Sequence, residues 1–216
     1  MSIVDDTWIV TPVRGFVQGK SRLAPVLAPG ERERLTRELL ARTLGAAIAA
    51  CARPDRCIVV SPDPRARDYA TGLGAVALED PEPGASQSTG EASLNAALSA
   101  GATEAARLGA SRVLVLAADL PGISADVLVR FTRASPPGGA CIAADRHRRG
   151  TNALLLPAGA EAALRFGPDS LRAHREAFAT LGIPLGEWYE PALAFDLDTP
   201  EDWTRARRQA LLQGST

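Results

Sequence analysis

Apolar residues recur along this chain with two different periods, and the alternation between the periods predicts a fold. Short aliphatic or β-branched runs read as strands at Trp8 to Val13, Cys57 to Ser61, Ala75 to Leu78, Arg112 to Ala117, Cys141 to Ala144, Ala153 to Leu156 and Ala194 to Leu197. Between them lie stretches with the three-and-four spacing of amphipathic helices. The longest starts at Pro29, where Leu35, Leu39, Leu40, Thr43, Leu44, Ala47 and Ile48 share one face. Further helices are predicted over Arg65 to Gly72, Ser93 to Leu108, Ser124 to Arg133 with Ser124 as N-cap, Ala160 to Arg165, the stretch after the turn Arg165 to Ser170, and Asp202 to Gln213. After its first residue the run Arg112 to Ala117 is continuously aliphatic, as expected of a strand covered on both faces in the centre of a parallel sheet. Strands alternating with helices imply a three-layer α/β fold with a mostly parallel sheet. With no repeat, low-complexity tract or linker, residues 1–216 read as one domain. In such a sheet ligands bind where the chain leaves the carboxyl ends of the strands.

Composition narrows the function classes. The chain has 216 residues, 46% of them hydrophobic, which is enough for a sizeable core. Its 24 basic and 25 acidic side chains leave a formal net charge of -1, with no long like-charge run, so nothing points to nucleic acid or a membrane surface as partner. Cys51, Cys57 and Cys141 are odd in number and lack CxxC spacing, which argues against a disulfide framework and a zinc site. The acidic start MSIVDDTW is unlike a signal peptide, and no apolar run approaches the roughly 18 residues that span a bilayer. A cytoplasmic protein is the expectation.

Against this frame the polar residues at predicted strand ends stand out. Asp119 follows the central aliphatic run beside a turn fixed by Pro121, where a carboxylate can hold magnesium together with substrate phosphates. A turn former or a cap for the next helix is the alternative. Asp196 and Asp198 alternate around Leu197, so an extended run points both carboxylates to one side, where they repel unless a cation lies between. Asp198 or Thr199 can equally cap a helix with Pro200 in its first turn. Lys20 and Arg22, in the loop after the first strand, are either a clamp for triphosphate oxygens or a solvated basic face. The Walker A spacing is absent, because Gly15 and Gly19 are four apart. The turn Arg165 to Ser170 enters a helix whose first amides, with the Ser170 hydroxyl, suit an anionic group, or which Asp169 or Ser170 simply caps. His147 and His174 lack a partner pattern and read as surface residues. Trp8, Trp188 and Trp203 are scattered and read as packing.

Taken together, KSRLAP, VLVLAADLPG, ADRHRRGTNAL, RFGPDS and FDLDTPEDW resemble, in order and spacing over nearly the whole chain, the 2-phospho-L-lactate and phosphoenolpyruvate guanylyltransferase family of coenzyme F-420 biosynthesis. The resemblance implies a nucleotidyltransferase sheet of the Rossmann-like, glycosyltransferase-A-like kind. It implies transfer of GMP from GTP to a small phosphorylated acid, either 2-phospho-L-lactate, phosphoenolpyruvate or 3-phospho-D-glycerate, with release of pyrophosphate. It places Lys20 and Arg22 on the GTP phosphates, as catalytic groups alongside Asp119. Asp119, Asp196 and Asp198 become ligands of two magnesium ions. Thr151, Gly167 and Ser170 would contact the acid, and Asn95, in SLNAAL, the nucleoside. Ser21 stands where the family commonly shows threonine, and the segment before SLNAAL departs from the family pattern where the base pocket is expected. A molybdopterin guanylyltransferase, a cytidylyltransferase or a non-catalytic nucleotide-binding subunit are the alternatives, and homodimer formation is left open.

Overall fold

A computed structural model describes residue 3 and residues 6–17, 19–81 and 90–212 of the chain. The described residues contain seven strands: β1 (Thr7–Pro12), β2 (Cys57–Ser61), β3 (Val76–Glu79), β4 (Arg112–Leu116), β5 (Ala140–Ala144), β6 (Thr151–Pro157) and β7 (Leu185–Glu187). They form one sheet in the order β3-β2-β1-β4-β6-β5-β7. All pairs are parallel except the two made by β6, which runs against both β4 and β5. The helices are α1 (Pro29–Cys51), α2 (Pro64–Gly72), α3 (Gly90–Arg107), α4 (Ala125–Arg133), α5 (Ser170–Leu181), α6 (Pro191–Ala194) and α7 (Pro200–Arg208). This is the three-layer, mostly parallel α/β architecture that the alternating periods predict.

Side chains leave successive strand residues on opposite faces, so each central strand feeds two cores. Ile9, Val59, Leu114 and Leu116 pack with Leu40, Leu44, Leu128 and Phe131 from α1 and α4. Val10, Ile58, Val60, Val113 and Val115 pack with Leu98, Ala102, Leu171 and Phe178 from α3 and α5. Helix α3 lies so close to β1 and β2 that a Cβ on Gly101 would stand 2.5 Å from Val10 Cγ1 and 3.0 Å from Val60 Cγ2. The three cysteines are buried free thiols. Each tryptophan packs against one of the apolar clusters.

A third, smaller core explains how the two ends of the chain meet. Leu23 and Leu27 from the first loop join Leu35 and Leu39 of α1, Phe195, Leu197 and Ala206. Leu23 and Leu197 are fully buried, and burial of each contributes about 2 kcal/mol. This core pins the segment after Lys20 against the segment that carries Asp196 and Asp198.

Three expectations are corrected. Residues 194–197 are not a strand: α6 ends at Ala194, Phe195 is extended (φ -103°, ψ 98°), and Leu197 N–H makes a backbone bond to Asp119 O at 3.0 Å without joining the sheet ladder. The apolar alternation there serves the small core instead. The helix predicted from Ala160 is a single 3-10 turn, Glu161–Ala163, and the edge strand β7 was not predicted at all. The last helix begins earlier, at Pro200, and ends at Arg208, with Gln213 outside the described residues. Residues 82–89, within the loop expected before α3, also lie outside them. No helix among the described residues is long and apolar enough to cross a membrane.

Candidate active site

The reversal of β6 concentrates polar residues at one edge of the sheet. Because β6 runs antiparallel to β4, its first residues lie beside the residues that follow the end of β4. Leu116 pairs with Ala153, and Ala117 N–H bonds to Asn152 O at 2.9 Å. Asp119, leaving β4, and Thr151 and Asn152, opening β6, therefore share one rim. Asp119 is no helix cap: Ser124 caps α4 by accepting from Val127 N–H. Its carboxylate accepts a hydrogen bond from Lys20 Nζ at 2.7 Å.

Lys20 Nζ also donates to Asp198 Oδ1 at 2.8 Å, so one ammonium joins carboxylates that are 99 and 178 residues away. Its side chain is only 9% exposed. Burial works against its charge, but the charges of Asp119 and Asp198 outweigh that and hold the pKa up at about 12. The Lys20 backbone is left-handed (φ 56°, ψ 37°) where it enters the 3-10 turn Ser21–Leu23. That conformation costs a non-glycine residue roughly 1 kcal/mol, a strain of the kind stored where a side chain must be aimed. Arg22 is 75% exposed and 3.9 Å from Asp198, a contact of little energetic weight. Earlier in the loop, Phe16 is fully buried, its N–H bonds to Asp63 Oδ2 at 2.9 Å, and Arg37 lies over its ring at 4.7 Å. The loop is thus anchored on α1 and α2 before it reaches Lys20.

Asp198 does not cap α7 either. Thr199 and Asp202 form a capping box, and Asp202 Oδ2 accepts from the N–H groups of both Asp198 and Thr199. This leaves the Asp198 carboxylate for Lys20. Burial raises the pKa of that carboxyl, yet Lys20 first, then Arg22 and Arg146, bring it below the usual range. Asp196 goes the other way, raised by burial and by the charge of Asp119. Its carboxylate faces Asn152 Nδ2 at 3.5 Å. Arg146, from the turn between β5 and β6, donates to Asp196 O and to the Asp202 carboxylate and stacks on Phe195, so it fixes the segment that carries both acids. Among the described residues no three carboxylate, histidine or cysteine side chains are gathered as a metal site; the three aspartates meet at one rim, two of them on Lys20.

The residues expected on the acid form a second cluster. Ser170 Oγ donates to Thr151 Oγ1 at 3.0 Å, and Thr151 Oγ1 lies 3.1 Å from His174 Nδ1. Gly167 has φ 143°, reached easily only without a side chain, and a Cβ there would stand 3.0 Å from the Glu91 carboxylate. Neither Asp169 nor Ser170 caps α5 through its side chain: Asp169 bonds to Arg149 at 2.8 Å, and Ser170 to Thr151. His174 corrects the sequence reading. It is fully buried, packs edge-on against Phe166 at 4.8 Å and accepts from Arg165 N–H through Nε2 at 3.0 Å. Burial lowers its pKa from 6.5 to about 4. Asn95, expected at the nucleoside, is tied to this cluster. Its amide clamps the Phe166 backbone, donating to Phe166 O at 2.7 Å and accepting from Phe166 N–H at 2.8 Å, so contact with a nucleoside would require those bonds to part.

A cavity of about 730 Å³ opens at this rim, between the first loop and the start of α3, with Lys20, Asp119 and Asp198 at one end and Val60, Leu94 and Ala97 among its apolar lining. Its volume is in the range that holds a small organic ligand. Thr151, Gly167 and Ser170 lie outside this cavity, next to Asp196 through Asn152. Phe16, Asp63, Arg146, Asp202 and His174 support the rim without any local motif. Only the FDLDTPEDW spacing, with its capping box, foreshadows one of them.

Comparison with known proteins identifies the family and the fold. Residues 31–183 match the model of the MobA-like NTP transferase domain. The chain is similar to a phosphoenolpyruvate guanylyltransferase of Sphaerobacter thermophilus, at 41% identity over 91% of this chain and 90% of the relative. A protein of the same name from Rubrobacter xylanophilus is 40% identical over 91% of each. Among solved structures, a nucleotide-diphospho-sugar transferase from Desulfovibrio desulfuricans superposes with a TM-score of 0.74 at 14% identity, covering 98% of this chain and 90% of the other. The 2-C-methyl-D-erythritol 4-phosphate cytidylyltransferase of Thermus thermophilus does so with a TM-score of 0.56 at 20% identity, covering 98% and 100%. At such identities these structures speak to the fold, which is of the glycosyltransferase-A-like nucleotidyltransferase type.

Proposed function

Since the chain belongs to the MobA-like NTP transferase family, and within it to the phosphoenolpyruvate guanylyltransferases, we propose that it transfers GMP from GTP to phosphoenolpyruvate, releasing pyrophosphate, as a step in the assembly of coenzyme F-420. The observation that carries the reading is the convergence of Lys20, Asp119 and Asp198 at the end of the cavity. A charged ammonium and strand-end carboxylates are the equipment that a nucleoside triphosphate requires at its phosphates.

In this reaction a phosphate oxygen of the acid attacks the α-phosphorus of GTP. A new P–O–P bridge forms while the bond to the leaving pyrophosphate breaks, and its electron pair departs on pyrophosphate oxygen. The nucleophile is already anionic at neutral pH, so no general base is needed and positioning carries most of the catalysis. Lys20 opposes the charge of the triphosphate, and Arg22, on the exposed lip of the same loop, adds to it. Thr151, Ser170 and the Gly167 turn hold the acid beside Asp196. The aspartates fit magnesium: they are hard oxygen donors, and the mutual repulsion of Asp119 and Asp196 is what a divalent cation relieves. Bound by Asp119, Asp196 and Asp198, magnesium would supply charge neutralisation at the phosphates.

The test is incubation of the purified protein with GTP, magnesium and each of phosphoenolpyruvate, 2-phospho-L-lactate and 3-phospho-D-glycerate, with pyrophosphate release and product mass as readouts. The expected product is the guanylylated phosphoenolpyruvate, lost in Asp119→Ala while circular dichroism stays native. Preference for another acid would reassign the substrate, turnover with CTP in place of GTP would overturn the guanylyl assignment, and full activity in Asp119→Ala would refute the metal role.

A further inference from the structure

His174 takes no part in the reaction just described, yet it is a fully buried imidazole with both nitrogens engaged. The hydrogen positions follow from its partners. Nε2 accepts from Arg165 N–H, so Nε2 carries no hydrogen. A neutral imidazole has one N–H, which must then sit on Nδ1, facing Thr151 Oγ1 and the Ser170 carbonyl. Nδ1 therefore cannot accept the Thr151 hydrogen. The Ser170 hydroxyl, 2% exposed, also donates to Thr151 Oγ1. With Ser170 donating to it and the protonated Nδ1 unable to accept, the Thr151 hydroxyl has no acceptor for its own hydrogen in this cluster, and Thr151 opens β6 beside Asn152, which faces Asp196.

We propose that His174 is a positioning residue that, through Thr151, fixes one outward hydrogen-bond donor for an acceptor-only group of the acid substrate, a carboxylate or phosphate oxygen. The inference rests on the acid site proposed above. An unconstrained threonine hydroxyl can either donate or accept; locked as a donor, it favours anionic oxygens and disfavours a ligand that presents a hydrogen there. A hydrogen bond to a charged group is stronger than one between neutral groups, so loss of the lock weakens acid binding and leaves the GTP pocket alone.

The experiment is a double-mutant cycle with a spectroscopic control. His174→Phe keeps an aromatic ring against Phe166 and removes both nitrogens, and His174→Gln serves if that variant fails to fold. Either is expected to raise KM for the acid about tenfold and leave KM for GTP unchanged. In a Thr151→Val background the same change should add nothing further, because the hydroxyl on which it acts is gone. An additive effect, an equal rise in both KM values, or no effect of Thr151→Val on the acid KM would overturn the proposal. Nitrogen-15 NMR of the free wild-type protein at pH 7 reads the tautomer without any turnover. The Nδ1–H form is expected, and the Nε2–H form overturns the inference even if the guanylyltransferase reading stands. If that form is present but none of the acids is used, it is the reading of the substrate that fails.

Discussion

Acid should weaken this fold through a single imidazole. The folded-state pKa of His174 lies near 4, against an ordinary value of 6.5. Between those values the unfolded chain binds a proton at this ring that the folded chain does not. The neutral ring therefore contributes stability that is fully present above about pH 6.5 and is lost as pH falls toward 4. Integrating the difference in bound protons from pH 7 to pH 4.5 gives a loss of about 2 kcal/mol from this one group. Urea denaturation followed by tryptophan fluorescence at the two pH values measures the total loss for wild type. His174→Phe starts from a lower stability, because Arg165 N–H and the Thr151 hydroxyl lose a partner, but it should lose about 2 kcal/mol less than wild type over the same interval. If both proteins lose the same amount, His174 is not held neutral in the fold. The proton assignment at Thr151 would then fall with it.

Two further outcomes are expected elsewhere. Lys20→Met leaves Asp119 and Asp198 facing one another without their shared cation. Turnover should fall by at least about 100-fold, and stability by about 1–2 kcal/mol, since Asp198 remains partly screened by solvent. Unchanged steady-state kinetics would refute the phosphate role. Gly101→Ala inserts a methyl group 2.5 Å from Val10 Cγ1, and overpacking of this kind costs about 1–3 kcal/mol. Calorimetry should find the melting temperature lower by roughly 3 °C per kcal/mol, whereas an unchanged value would mean that α3 does not sit against β1 as described.

What could be read from the chain depended on the range of the forces involved. The run Val113 to Ala117 announces a central strand because every residue is apolar, and Ser124 announces the helix after it because a cap acts over three residues. Ala194 to Leu197 reads as a strand for a sound local reason: its alternation is real, but Leu197 enters the small core with Leu23 instead of a sheet ladder. The edge strand β7 is three residues long and half exposed, too short to leave a periodic signal. In the site, Lys20, Asp119 and Asp198 could each be singled out as candidates. That one ammonium joins both carboxylates could not, because the bonds span 99 and 178 residues. His174 was missed for the same reason. Its partners, Thr151 and Arg165, belong to other elements, and the one local sign of burial is its spacing, three residues after Leu171 and four before Phe178 on the buried face of α5.

The clamp between Asn95 and Phe166 ties two regions that otherwise look separate. Ser93, Leu94 and Ala97 on the first turns of α3 border the cavity, while Asn95, between them, grips the backbone just before Gly167. Helix α3 therefore borders the cavity with some residues and holds the Gly167 turn with another. The position of that turn relative to the sheet is set by a single side-chain amide from the helix that walls the cavity, not by the turn's own sequence.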